Sequence, residues 1–150
     1  MQDTLYKHLF LWYDACMNTW KSNNRRKYLL QYHIIFVCKY RKNIFSFKEI
    51  SESIKKYSKA ICDRHNIIIK NMETDKDHIH YMIEANPSIS VSDIVKLIKS
   101  YTTYHLWKDY SIYLEKYYWK EKTLWTDGYF VSSIGNVSEE TLQRYIENQG

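Results

Sequence analysis

His78-Ile79-His80-Tyr81-Met82-Ile83-Glu84-Ala85 is the stretch on which the reading of this chain turns. A polar run, Glu73-Thr74-Asp75-Lys76-Asp77, precedes it and reads as a turn. Asn86-Pro87-Ser88 ends it, because proline cannot donate to a strand ladder. Side chains alternate across a strand. Ile79, Tyr81 and Ile83 therefore share one face and can pack beneath a helix, while His78 and His80 share the other. Ile67 to Met72 is a short strand just upstream, so the two read as a hairpin. Tyr28 to Cys38 alternates in the same way, with Tyr32, Ile34, Phe36 and Cys38 on one face and His33, Ile35 and Val37 on the other.

Between these strands the period changes. Phe47, Ile50, Ile54, Tyr57 and Ile61 recur at three and four, which predicts a helix ending near Arg64-His65-Asn66. A second helix, capped by Ser90 or Ser92, carries Ile94, Leu97, Ile98, Tyr101 and Tyr104. Residues 109 to 123 are crowded with aromatics and ambiguous, a short helix being the one reading they suggest. Leu124 to Ile134 holds a strand broken at Thr126-Asp127-Gly128, and Gly135-Asn136 is a hinge-like break. Ser138 caps a last helix with Glu139 and Glu140 in its first turn. The order β-α-β-β-α-β-α predicts an α+β, ferredoxin-like two-layer sandwich, helices on one side of an antiparallel sheet. Residues 1–26 read as an N-terminal extension that ends in a basic linker, and 27–150 as the domain proper.

Composition narrows the class. The chain has 150 residues, 45% of them hydrophobic and 17% aromatic, which is a folding composition. Its net charge of +5 favours an anionic partner only modestly. Cys16, Cys38 and Cys62 have neither paired spacing nor an even count, so no disulfide scaffold is indicated and a reducing cytoplasm fits. Leu9-Phe10-Leu11-Trp12 is too short for a signal peptide, and no apolar run is long enough to cross a membrane.

Two imidazoles at i and i+2 on a strand can offer nitrogens to one divalent ion, with manganese better matched than magnesium. An HxH pair is equally a pair of satisfied polar side chains. Tyr145 lies between Leu142 and Ile146, where a tyrosine can simply be core, and Gln149 follows one helical turn later. A phenol ionises near pH 10, so attack on phosphate requires a neighbouring cation or base.

These residues resemble the single-tyrosine HUH transposases of the IS200/IS605 group. Asp77-His78-Ile79-His80 matches the family's His-hydrophobic-His motif. Tyr32-His33-Ile34-Ile35-Phe36-Val37-Cys38-Lys39-Tyr40-Arg41-Lys42 is similar to its first strand and basic turn. Gly128-Tyr129-Phe130-Val131-Ser132-Ser133-Ile134-Gly135, followed by Ser138 to Gln149, is similar to its late strand and tyrosine helix. The resemblance spans about residues 28 to 149. It implies an HUH-type fold, Tyr145 as nucleophile, and His78, His80 and Gln149 as ligands of Mg2+ or Mn2+. It further implies cleavage and rejoining of single-stranded DNA at hairpin-bearing element ends through a 5′-phosphotyrosine, by a homodimer with composite active sites. The setting implied is the prokaryotic cytoplasm, at the nucleoid. A relative that cleaves chromosomal repeat hairpins is an alternative, as is a non-catalytic ferredoxin-like nucleic-acid binding module, although the latter has no use for the complete set.

Lys39, Arg41 and Lys42 are candidate phosphate contacts, as are Lys96 and Lys99 on the polar face of the second helix. The bland alternative for each is a solvated surface charge. Tyr104, Trp107, Tyr117, Tyr118 and Trp119 can stack unpaired bases or serve as core, and Trp125 reads as packing on the sheet.

Overall fold

The computed structural model describes residues 21–23, 26–133 and 146–148. Four strands form one antiparallel sheet: β3 (Leu30–Val37), β4 (Ile68–Thr74), β5 (His78–Ala85) and β6 (Phe130–Ser133), in the order β4-β5-β3-β6. Two helices, α1 (Lys48–Arg64) and α2 (Val91–Tyr118), connect them. This is the expected two-layer α+β arrangement. The first strand of the sheet sits centrally, and its neighbours come later in the chain. The last helix expected from the sequence, its Ser138 cap and the Gly135-Asn136 break lie outside the described residues, apart from a helical Ile146 and Glu147.

The period-2 alternation builds the core. Ile34, Phe36, Ile79, Tyr81 and Ile83 meet Ile50, Ile54, Ile94, Ile98 and Leu106 in one cluster. Tyr81 is fully buried and its hydroxyl is paired with Ser58 Oγ at 2.8 Å. Ser58 directs its own proton at the Ile54 carbonyl, 2.7 Å away, so Tyr81 is the donor to Ser58. Tyr81→Phe therefore leaves one buried Ser58 acceptor unmet. It is expected to lower stability by about 1–2 kcal/mol, seen as a lower urea midpoint at unchanged slope. An unchanged midpoint would show that Ser58 finds another donor.

Several boundaries differ from the sequence reading. The turn before His78 is shorter, because Glu73 and Thr74 still pair with His80 and Ile79. Asp75 closes the turn, its amide bonded to the His78 carbonyl at 2.9 Å. The helix from Val91 runs through the ambiguous stretch as far as Tyr118, with one non-helical residue, Tyr110 at φ −130° and ψ 30°. Leu106, Leu114 and Tyr118 keep one stripe buried across that interruption, and Tyr110 is tied to Ser53 of α1 at 2.6 Å. Ser90 is the cap: its hydroxyl oxygen accepts from the Asp93 amide at 3.1 Å. The basic link is itself paired, as a hairpin of β1 (Lys21–Asn23) and β2 (Arg26–Tyr28). Buried Glu84 holds it to the sheet through Lys21 at 3.5 Å, and also binds Lys70 at 3.3 Å.

Candidate active site on the free face of the sheet

The sheet face turned away from α1 and α2 carries His33, Ile35 and Val37 from β3, and His78 and His80 from β5. The register sets Ile35 opposite His80 and Val37 opposite His78. Ile146 covers this face and is buried with Ile35 and Val37, with Phe130 packed alongside. Ile146 thereby sets the described part of the C-terminal segment on the histidine-bearing face. Tyr145 and Gln149 themselves lie outside the described residues.

Both imidazoles are held by one nitrogen. His78 Nδ1 is 2.7 Å from Asp77 Oδ1. A carboxylate only accepts, so His78 donates from Nδ1, and in the neutral ring Nε2 is the nitrogen left with a lone pair. His80 Nδ1 is 3.0 Å from His33 Nε2, and His80 Nε2 is buried with no partner among the described residues. The His78 and His80 rings lie 4.9 Å apart at 66°. Arg41 Nε donates to the second oxygen of Asp77 at 3.0 Å, and its Nη1 to the Glu147 carbonyl at 3.4 Å. Arg41 therefore joins the turn before the histidine strand to the C-terminal segment. To reach there, Tyr40 and Arg41 adopt left-handed backbone with φ of 59° and 49°, a conformation that costs non-glycine residues about 1 kcal/mol or more each.

The electrostatics favour neutral rings at His33 and His80. Burial lowers His33 to about 4. Burial also lowers His80 well below the ordinary histidine value, with the charges of His78 and His33 adding to it. For Asp77, burial works towards a higher value, but hydrogen bonds and charge from His78 and Arg41 bring it below the usual carboxylate range. The unfolded chain takes up protons on these imidazoles near pH 6.5, and the folded one holds them off until far lower. Stability of the metal-free protein is thus expected to fall as pH drops from about 6.5 towards 4 and to be flat in this respect above. Urea midpoints at about pH 7 and about pH 5 measure it. Equal midpoints would show that these rings are not held neutral.

Among the described residues, no group of three or more His, Cys, Asp or Glu converges on one point. The two imidazoles do fit a metal: one has an orphaned buried Nε2, and the other has its Nε2 freed by Asp77. A third ligand has to come from elsewhere, as the resemblance expects of Gln149.

The basic candidates separate. Lys39 is half-buried, 3.9 Å from Glu121 and beside the Tyr40 ring, and Lys42 is half-buried. Lys96 is exposed. Lys99 is not on a free polar face: its ammonium donates to the carbonyls of Thr126 at 2.8 Å and Gly128 at 2.7 Å, over the ring of Phe36. Burial lowers it to about 8, against the opposing charge of Asp127. Trp107 and Tyr118 are core, whereas Tyr104 and Trp119 are exposed. Trp125 packs on Phe36, as expected, and donates to Thr102 at 3.1 Å.

His33 and Asp77 are functional candidates that the sequence reading did not single out. Asp77 was visible as the residue before the first histidine. His33 was visible only as a polar residue on a strand face otherwise filled by Ile35 and Val37, which is a weak signal without the register.

An antiparallel sheet with helices on one face and a histidine pair on the other defines an HUH-type architecture. The family described as "Transposase IS200 like" matches residues 26–149, and the chain belongs to this IS200/IS605-type single-tyrosine HUH transposase family. The transposase for insertion sequence element IS200 of Salmonella typhimurium is 29% identical over 129 residues, 86% of this chain and 82% of the relative. The ISDra2 transposase TnpA of Deinococcus radiodurans is 27% identical over 122 residues, 81% and 85% of the two chains. The crystal structure of a candidate transposase from Deinococcus radiodurans R1 superimposes with a TM-score of 0.75 at 28% identity, covering 86% of this chain and 97% of that one. A tyrosine transposase solved with a REP hairpin shares the fold, with a TM-score of 0.53 at 12% identity, over 85% of this chain and 69% of that one. Membership supports DNA cleavage by a tyrosine-based, divalent-metal-using mechanism in general terms. Among the described residues no helix is long and apolar enough to cross a membrane.

Proposed function

We propose that the chain is a metal-dependent transposase that cleaves and rejoins single-stranded DNA at hairpin-containing element ends, with residues 27–150 as its catalytic domain. The observation that carries this reading is the placement of Ile146 on the histidine face, against Ile35 and Val37. Tyr145 precedes Ile146 in the sequence and Gln149 follows three residues later, which supports a site shared with His78 and His80.

In this reading Tyr145 attacks the scissile phosphate. The phenolic oxygen–phosphorus bond forms as the bond to the 3′-oxygen breaks, leaving a 5′-phosphotyrosine and a free 3′-hydroxyl. Rejoining is the reverse displacement by a 3′-hydroxyl, so the bond energy is kept and no nucleotide is consumed. His78, His80 and Gln149 would hold Mg2+ or Mn2+, which when bound polarises the phosphate and neutralises developing charge. Asp77 and Arg41 fix the orientation of His78 and the approach of the C-terminal segment. Lys39, Lys42 and Lys96 are the phosphate contacts that the arrangement leaves available; the carbonyl contacts of Lys99 favour a structural role. The working unit in this reading is a homodimer whose tyrosine helix completes the site within one protomer or across the pair. The relationship to the protein solved with a REP hairpin is at fold level only, so the element-end reading is preferred over the repeat-hairpin one.

The test is a denaturing gel of the protein with single-stranded DNA carrying an element-end hairpin and its flank, plus Mn2+ or Mg2+. A covalent adduct that maps to Tyr145 and disappears with chelator is the expected result. An adduct on another residue, or one indifferent to chelator, would overturn the assignment.

A further inference from the structure

We infer that His33 is a positioning residue for the histidine pair, setting the tautomer and ring plane of His80 by accepting a hydrogen bond from His80 Nδ1. The inference rests on the metal reading under Proposed function and adds a residue to it. His33 is paired with Met82 in the sheet, so it stands diagonal to His80 on the same face. The two rings are stacked with centroids 5.3 Å apart at 23°, and Phe130 closes edge-on against His33 at 6.4 Å. Neither ring has room to turn, since both are buried.

A bond between two neutral imidazoles needs one donor and one acceptor, which leaves two arrangements. If His33 donates, the proton of His80 sits on Nε2, where no acceptor exists among the described residues. An N–H buried in that way is unfavourable. If His33 accepts, His80 Nε2 becomes a lone pair on a ring 4.9 Å from that of His78. Only the second arrangement gives two ligand nitrogens side by side. His33 thus does for His80 what Asp77 does for His78. A carboxylate can only accept, whereas His33 accepts at Nε2 only while its own proton is on Nδ1. A phenylalanine would fill the same volume and leave His80 Nδ1 without a partner, so packing alone does not account for a histidine here.

The experiment titrates the full chain, free of DNA, with Co2+ followed by its visible absorption and with Mn2+ followed by its spin resonance. His33→Leu removes the acceptor, while His33→Gln can place an amide oxygen near the Nε2 position. His33→Leu is expected to weaken metal binding by about 10- to 100-fold, and His33→Gln by no more than a few-fold. A merely structural histidine would lower the melting temperature of His33→Leu and leave the affinity of the folded protein unchanged, and that result would overturn the inference. Should His33→Leu fail to fold, long-range 1H–15N correlation on the unsubstituted protein decides. An unprotonated His80 Nε2 supports the inference, and a protonated one overturns it. If the unsubstituted chain binds neither ion, the metal reading falls and this inference with it. If it binds and His33→Leu binds equally, the metal reading stands alone.

Discussion

Tyr145→Phe is expected to abolish the covalent protein–DNA adduct and to cut strand cleavage by on the order of 10^4-fold or more, the scale seen when a nucleophile is removed. The substitution deletes one oxygen and keeps the ring, so the volume and apolar surface of the side chain are retained. Hairpin binding should therefore survive within a few-fold. That combination separates the two readings of this residue. A core tyrosine exchanged for phenylalanine would change stability slightly and leave turnover alone, and unchanged cleavage in the variant would remove Tyr145 from the mechanism. Fifteen tyrosines stand in this sequence, so the adduct must also be mapped, since a neighbouring phenol could otherwise be mistaken for the nucleophile.

The second large effect is expected at the histidines. His80→Ala removes a ligand nitrogen that is buried and has no other partner among the described residues, and it leaves His33 facing a void. A bound metal ion contributes several kcal/mol at the phosphate, so cleavage should fall by on the order of 10^3-fold. Mn2+ affinity should fall with it, while hairpin affinity is largely kept. His78→Ala should do the same, and in addition leave Asp77 bonded to Arg41 alone. If either variant cleaves at the rate of the unsubstituted chain with metal binding lost, the ion is not part of the reaction. If hairpin binding collapses as well, the histidine face serves DNA recognition rather than chemistry.

What could be read in advance follows the range of the interaction. The alternation of Tyr32, Ile34 and Phe36 with His33, Ile35 and Val37 is a local period, and the structure keeps it residue for residue. The same holds for His78 and His80 against Ile79, Tyr81 and Ile83. The contact between His33 and His80 depends on the register between two strands far apart in sequence, which no local pattern encodes. Lys99 was misplaced for a similar reason. Helical spacing puts it on a polar face, but the Thr126–Gly128 segment closes over it and supplies carbonyls. Residues 109 to 118 resisted reading because aromatics surround the helix, so Leu114 and Tyr118 did not stand out as a stripe. Arg41 was seen as a charge near DNA, while its geometry is spent on Asp77 and the Glu147 carbonyl, a role set by two consecutive left-handed residues that the sequence, without glycine there, does not announce.

The strand order also carries a schedule. Of the four sheet strands β3 emerges first from the ribosome, yet Leu30 must wait for Ala85, and Tyr32 for Ser133, before the ladders can close. Local helices can form at once, whereas these distant pairings must await partners 55 and 101 residues further on. At roughly 5–20 residues per second that is a delay of seconds. Ile146, which caps the histidine face, is made after every strand of the sheet. The covered histidine face is therefore assembled only after the sheet beneath it has all its strands.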